Sequence, residues 1–252
     1  MNDLTGIMLV TFNRLNLTKQ TLESLLKTTH SPFCLIVIDN GSTDGTSEYI
    51  TNFCQENSGK DNFISHSIKI NKDNKGIAIG RNQALKLASE TSTINWLCTL
   101  DNDVILPDNW LGQAQTIIKE NPGMGAVGVN FEKESFPLVK SGQMEFQLKP
   151  KGNLGTACMV FSRSLHKLLG YFNTEYGLYG MEDSDLGFRI RVAGFKLGYL
   201  KENGIHLGEG SEDVGPYREF KTTQHQNHLI KFNNNCRLYF NKKKSIFIPL
   251  KE

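Results

Sequence analysis

"CLIVIDNGSTDGTSEYITNFC" (34–54) joins three kinds of chain in one short span. "CLIVID" (34–39) is an unbroken apolar run ending on an acid, which reads as a strand buried on both faces. "DNGSTDGT" (39–46) is a Gly-rich turn whose Ser, Thr and Asp are of the kind that cap a following helix, although Asp39 ends a strand where no cap is needed. Tyr49, Ile50, Phe53 and Cys54 then fall on one helical stripe. The unit recurs: "GIMLVTF" (6–12), "FISHSIKI" (63–70), "INWLCTL" (94–100) and "MGAVGV" (124–129) read as strands, and Trp110, Leu111, Ala114, Ile117 and Ile118 mark another amphipathic helix. This alternation predicts an α/β fold, a Rossmann-like, mostly parallel twisted sheet flanked by helices, with ligands at the carboxyl ends of the strands.

The composition is that of an ordinary globular chain. Its 252 residues, 38% hydrophobic, suit one large domain or a domain with an appendage. With 28 basic and 26 acidic residues the net charge is only +2, so no overall field draws nucleic acid, and no nucleic-acid partner is expected. Cys34, Cys54, Cys98, Cys158 and Cys236 form no C-x-x-C pair and read as small buried hydrophobes of a reducing compartment. "MNDLTGIMLVTFNR" lacks the basic start of a signal peptide and no run reaches 18 apolar residues, so the expected location is cytoplasmic.

The strand-end rule sorts the polar residues. Thr11, Asn13 and Arg14 follow the first strand, Asp39, Asn40, Ser42 and Asp44 the second, and Asp101, Asn102 and Asp103 the fourth. In "LDNDVILPDNW" (100–110) two carboxylates at D-x-D spacing leave a strand together, within reach of one hard cation; the same residues also suit a turn. Downstream, "YGMEDSDLGFRI" (179–190) gathers Glu182, Asp183 and Asp185 where a Gly-rich loop enters a helix, and "GIHLG" (204–208) sets His206 between glycines. Acids also favour a helix N-terminus through its dipole, which leaves Glu182 and Asp185 open to a plain structural role and Asp183 as the better catalytic candidate.

"VTFNR", "VIDNGSTDGT", "NKGIAIGRNQAL", "LDND" and "GMEDSDLGFRI", in this order across about residues 5 to 210, resemble the motifs of family-2 glycosyltransferases of the GT-A fold. The resemblance implies a nucleotide-binding part over 1–103 and an acceptor-binding part over 104–215. Thr11, Phe12, Arg14 and Asp39 would line the base and ribose, Asn13, Asn40 and Ser42 would also bind the nucleotide, and Lys75, Gly76 and Arg81 would close the nucleotide pocket. Asp101 and Asn102 would lie on the nucleotide; Asp103, with Asp101 and His206, would bind Mn2+ or Mg2+. Glu182 and Asp185 would face donor and acceptor sugars. The family implies inverting transfer from a nucleotide-diphosphate sugar, UDP first and GDP or dTDP also compatible, to a saccharide or lipid-linked acceptor.

The chemistry agrees with that reading. A departing diphosphate needs its charge stabilised, and a held carboxylate, here Asp183, can take the acceptor's proton. No second carboxylate at nucleophile spacing stands out. A sugar nucleotidyltransferase would carry a Gly-rich basic loop after strand one, where "VTFNRLN" stands; a non-catalytic sugar-nucleotide-binding protein would have lost one of these acids. Residues 131–152 read as a loop or hairpin, and "TACMVFSRS" (156–164) as a further strand before a short helix. The extension 216–252 carries ten basic residues, counting His225 and His228, against two acidic ones, mixed with aromatics. It reads either as a peripheral contact with an anionic inner membrane face or as a helix packed on its own domain.

Overall fold

The computed structural model describes residues 3–131, 134–208 and 216–251. In chain order it runs β1 (Thr5–Thr11), α1 (Leu15–Thr28), β2 (Phe33–Asp39), α2 (Thr46–Asn57), β3 (Phe63–Ile70), α3 (Ile77–Glu90), β4 (Trp96–Leu100), β5 (Val104–Ile105) and α4 (Trp110–Glu120). It continues with β6 (Met124–Asn130), β7 (Leu138–Ser141), β8 (Met144–Lys149), β9 (Cys158–Ser162), α5 (Arg163–Leu169), a 3-10 turn (Thr174–Tyr176), α6 (Glu182–Val192), β10 (Lys196–Asn203), β11 (Ile205–His206) and α7 (Pro216–Phe240). The boundary expected at 215/216 adjoins 209–215, which lie outside the described residues.

The central sheet has the order β3-β2-β1-β4-β9-β6-β10-β8-β7. β9 and β8 run against the other strands, so the sheet is mostly parallel, as the alternating pattern predicts. β1, β2 and β4 are buried along their whole length because helices cover both faces. Alternate side chains go to opposite layers. Ile7, Leu9, Leu35 and Val37 join Leu22 of α1, Ile50 of α2 and Trp110 of α4, while Met8, Val10, Ile36 and Ile38 join Leu85 of α3, Leu165 of α5 and Ile190 of α6. Gly80 permits a close contact on that second face, since a Cβ there would lie 2.7 Å from Val10 Cγ1.

Residues 138–149 form the expected hairpin, docked on β10. All five cysteines are free and four are buried; burial alone pushes the Cys54 thiol up to about 12, which leaves it unreactive. The expectation of strand "INWLCTL" shortens to Trp96–Leu100. Parallel register places Thr11 beside Asp39, and Leu9 beside Leu100, so the loops after β1, β2 and β4 leave one edge together.

Candidate active site

Those loops are tied to one another before any ligand is considered. Asn13 and Arg14 both take left-handed backbone angles (φ 57° and 65°), a strain of roughly 1–3 kcal/mol each that the surroundings must hold. The second loop holds it: Ser42 Oγ accepts from Asn13 N at 2.7 Å, Asn13 Oδ1 accepts from Thr43 N at 2.9 Å, and Asp44 accepts from Leu15 N at 3.0 Å. Burial works against the Asp44 charge, but hydrogen bonds from the Thr46 hydroxyl and from the Leu15 and Thr46 amides outweigh it and lower the pKa. Asp39 braces the same turn: it is buried, one oxygen accepts from Ser42 N and Oγ, and the other from Ser47 Oγ.

Several residues expected on the nucleotide are turned inward. Asn102 donates to Thr11 Oγ1 (2.9 Å) and Thr18 Oγ1 (3.1 Å), pinning the D-N-D loop to β1 and α1. Asn40 bonds the Gly76 carbonyl and the Asn71 amide. Arg81, 3% exposed, acts as a strut: Nη2 reaches Asp101 Oδ1 at 2.8 Å and Nη1 reaches Glu182 Oε1 at 3.0 Å. The burial that would weaken its charge is outweighed by Asp101, Glu182 and Asp183. Gly76 (φ 84°) has a different constraint, for a Cβ there would lie 2.6 Å from Leu178 Cα. Phe12, 41% exposed, and Lys75, paired only loosely with Asp73, remain at the rim with Arg14, Asn13 and Ser42.

The second aspartate of the D-N-D loop meets Arg14 and His206 among the described residues. Arg14 Nη1 lies 2.8 Å from Asp103 Oδ2, and His206 Nε2 lies 3.7 Å from Asp103 Oδ1, beyond hydrogen-bond range. A two-stranded ribbon makes this meeting. β11 pairs antiparallel with β5, setting His206 against Val104, and Leu207 N donates to the Asp103 carbonyl at 2.7 Å. Gly208 lets the chain pass, because a Cβ there would lie 2.5 Å from Asp103 Oδ2. Among the described residues His206 Nδ1 is buried without a hydrogen-bond partner. Asp101, expected beside it on the cation, has one oxygen on Arg81 instead, and no three His, Cys, Asp or Glu groups among the described residues converge as a ready-made metal cage.

The acid triplet divides by environment. Burial, then the neighbouring Asp183 charge, pushes the Glu182 carboxyl up to about 7 against the pull of Arg81. Asp185 cannot touch a sugar: it is 0% exposed and accepts from Arg189 Nε (2.7 Å), Tyr176 OH (2.9 Å) and Tyr239 OH (3.0 Å). Asp183 is partly exposed, and its hydrogen bond among the described residues comes from the Ser184 amide at 2.6 Å. The β5–β11 ribbon, too short to show periodicity, escaped the sequence reading; α7 packs on its own domain, one of the two readings open for the extension, along the stripe His228, Asn235 and Tyr239.

A sheet of this order, with strand-end loops carrying D-N-D and Glu-Asp acids to one edge, has the GT-A fold. The chain belongs to glycosyl transferase family 2, whose sequence model matches residues 7–169. It is 35% identical over 116 residues, 46% of this chain and 15% of the relative, to an uncharacterized glycosyltransferase of Rickettsia bellii. It is 25% identical over 208 residues, 77% of this chain and 47% of the relative, to the poly-beta-1,6-N-acetyl-D-glucosamine synthase of Staphylococcus epidermidis. The chain thus spans less than half the length of these curated relatives. Among solved structures it resembles the mannosyltransferase PcManGT of Pyrobaculum calidifontis in complex with GDP-Man and Mn2+ (TM-score 0.63, 17% identity, 90% of this chain and 64% of that one). It also resembles GalNAc-T7 with UDP, GalNAc and Mn2+ (TM-score 0.63, 12% identity, 94% and 50%).

Proposed function

We propose that this protein is an inverting glycosyltransferase that moves a sugar from a nucleotide-diphosphate sugar to a hydroxyl of a saccharide or lipid-linked acceptor, using Mn2+ or Mg2+. The observation that carries the reading is the division of labour at one sheet edge: Asp103 faces His206 beside Arg14, while Asp183 keeps a partly exposed carboxylate. His206 Nε2 and Asp103 Oδ1 face each other at 3.7 Å without a hydrogen bond between them, and an imidazole nitrogen beside a carboxylate oxygen suits a divalent ion, so Asp103 and His206 would hold it. Such an ion, when bound, stabilises the negative charge gathering on a departing diphosphate. Arg14 adds a fixed positive charge at the same place. Asp183 takes the proton of the acceptor hydroxyl as its oxygen bonds to the sugar's anomeric carbon and the bond from that carbon to the diphosphate oxygen breaks. One displacement, with base and leaving group on opposite faces of the sugar, inverts the anomeric centre.

A thermal-shift panel of UDP, GDP and dTDP, each with and without Mn2+, tests the donor half. UDP with Mn2+ is expected to raise the melting temperature, since a ligand held only by the folded state stabilises it. Asp103→Ala should remove most of that shift. No response to any nucleoside diphosphate, or a full response in Asp103→Ala, would overturn the assignment.

Among the described residues no helix is long and apolar enough to cross a membrane. We place a peripheral contact on the outward side of α7, where Ile230, Arg237 and Phe240 and then Lys242 and Lys243 are exposed. Arg237→Glu with Lys242→Glu and Lys243→Glu should reduce co-sedimentation with anionic liposomes severalfold, and salt should reverse the wild-type association. A wild-type chain that stays in the supernatant at low salt would refute the contact.

A further inference from the structure

The chain approaches Asp183 through a strained segment. Gly180 (φ 97°) and Met181 (φ 69°) both take left-handed angles immediately before α6, the latter without a glycine's freedom. Such a segment keeps its shape only when its surroundings over-determine it. On the donor side Ile77 N donates to Leu178 O at 3.1 Å, beside the close approach at Gly76. On the other side stands α7. His228 Nδ1 lies 3.2 Å from Tyr179 O, and Lys231 Nζ donates to Glu175 O at 2.8 Å. Further along α7, Asn235 donates to Tyr176 OH at 2.9 Å, and Tyr239 donates to Asp185 Oδ2, two residues beyond Asp183.

Asp185 is the point where these lines meet. Its fully buried carboxylate sits in the first turn of α6, tied to α7 by Tyr239, to the preceding 3-10 turn by Tyr176, and within its own helix by Arg189. Arg189 in turn donates to the carbonyls of Leu169, Tyr171 and Ile246, so the chain after α7 is anchored there as well. Burial, then the Asp185 charge, raises both phenol pKa values, which keeps Tyr176 and Tyr239 protonated and donating.

We propose that the C-terminal helix is a positioning device for the acid pair: Tyr239, through Asp185, and His228, through the Tyr179 carbonyl, hold the strained approach so that Asp183 points into the cleft. This rests on the reading of Asp183 as the base. Tyr239 is 1% exposed and bonded to Asp185, so its influence runs through the orientation of α6.

The test is Tyr239→Phe in the full chain, which keeps the ring in its packing against Phe188 and removes one hydrogen bond. The assay measures nucleoside diphosphate released from UDP-hexoses and GDP-mannose with Mn2+. The expected result is a fall of about tenfold in kcat with donor KM within twofold of wild type, the mark of a misplaced reacting group rather than a lost binding contact. Ile50→Val, a core variant in α2 on the other face of the sheet, serves as the stability control and should keep kcat. Tyr239→Phe retaining kcat within twofold, or losing it only as much as that control, would overturn the proposal. If the wild type releases no nucleoside diphosphate from any donor, the functional reading fails instead, and positioning is then read by amide hydrogen exchange. Tyr239→Phe must speed exchange across 179–186 more than the control does, and unchanged exchange there would overturn it.

Discussion

Asp183→Asn is expected to lower transfer about 10²–10⁴-fold, the usual contribution of a positioned general base, while the thermal response to UDP and Mn2+ stays within a degree or so of wild type. The division follows from the geometry. Glu182 is committed to Arg81 and Asp185 to Tyr176, Tyr239 and Arg189, whereas Asp183 is the member of the triplet that is partly exposed. An amide at 183 keeps the shape and the bond from the Ser184 amide, but it takes no proton from a hydroxyl. Asp185→Asn provides the contrast: leaving buried donors poorly matched, it should cost stability first and turnover only through it. Turnover in Asp183→Asn above about a tenth of wild type would remove the base assignment, and loss of the UDP response would show that Asp183 serves the donor.

The fold was legible because its signal is repeated and local. Runs such as "GIMLVTF" and "CLIVID" are apolar on both faces and separated by helical stripes, and each carries its own evidence. The site was legible as an edge, not as a set of contacts. Asp39, Arg81 and Asp185 carry the charges of binding residues, yet each proves to be buried and spent on its neighbours. Sequence holds no trace of that difference, because Arg81 meets Glu182 across 101 positions and Asp185 meets Tyr239 across 54. His206 shows the converse case. Its flanking glycines were visible, but the ribbon that brings it to Asp103 is two residues long on each strand, below any pattern of alternation.

Arg81→Met is expected to lower the unfolding free energy by about 3–5 kcal/mol, the usual cost of removing one partner from a buried ion pair. Arg81 is buried between Asp101 and Glu182, and its side chain also lies over the Phe172 ring, so methionine fills much of the volume but compensates neither acid. The loss should depend on pH, with a sign that Glu182 decides. Its folded pKa, pushed up to about 7 from an ordinary 4.5, lies above the unfolded one, so the folded state binds the proton more tightly. The stability this confers is full below about pH 4.5 and is lost as pH rises through about 7. Removing Arg81 takes away the attraction that opposes the shift, so the variant's deficit relative to wild type should be smaller at pH 5 than at pH 8.5. Adding Glu182→Gln to Arg81→Met should recover part of the deficit at pH 8.5 and little at pH 5, since glutamine mimics the protonated acid. Denaturant melts of wild type, Arg81→Met and the double variant at both pH values measure this. A deficit equal at the two pH values would show that Asp101, more exposed and farther from the core, carries the penalty instead. A deficit under about 1 kcal/mol, the range of exposed pairs, would mean that the guanidinium is not the strut joining the two acidic motifs.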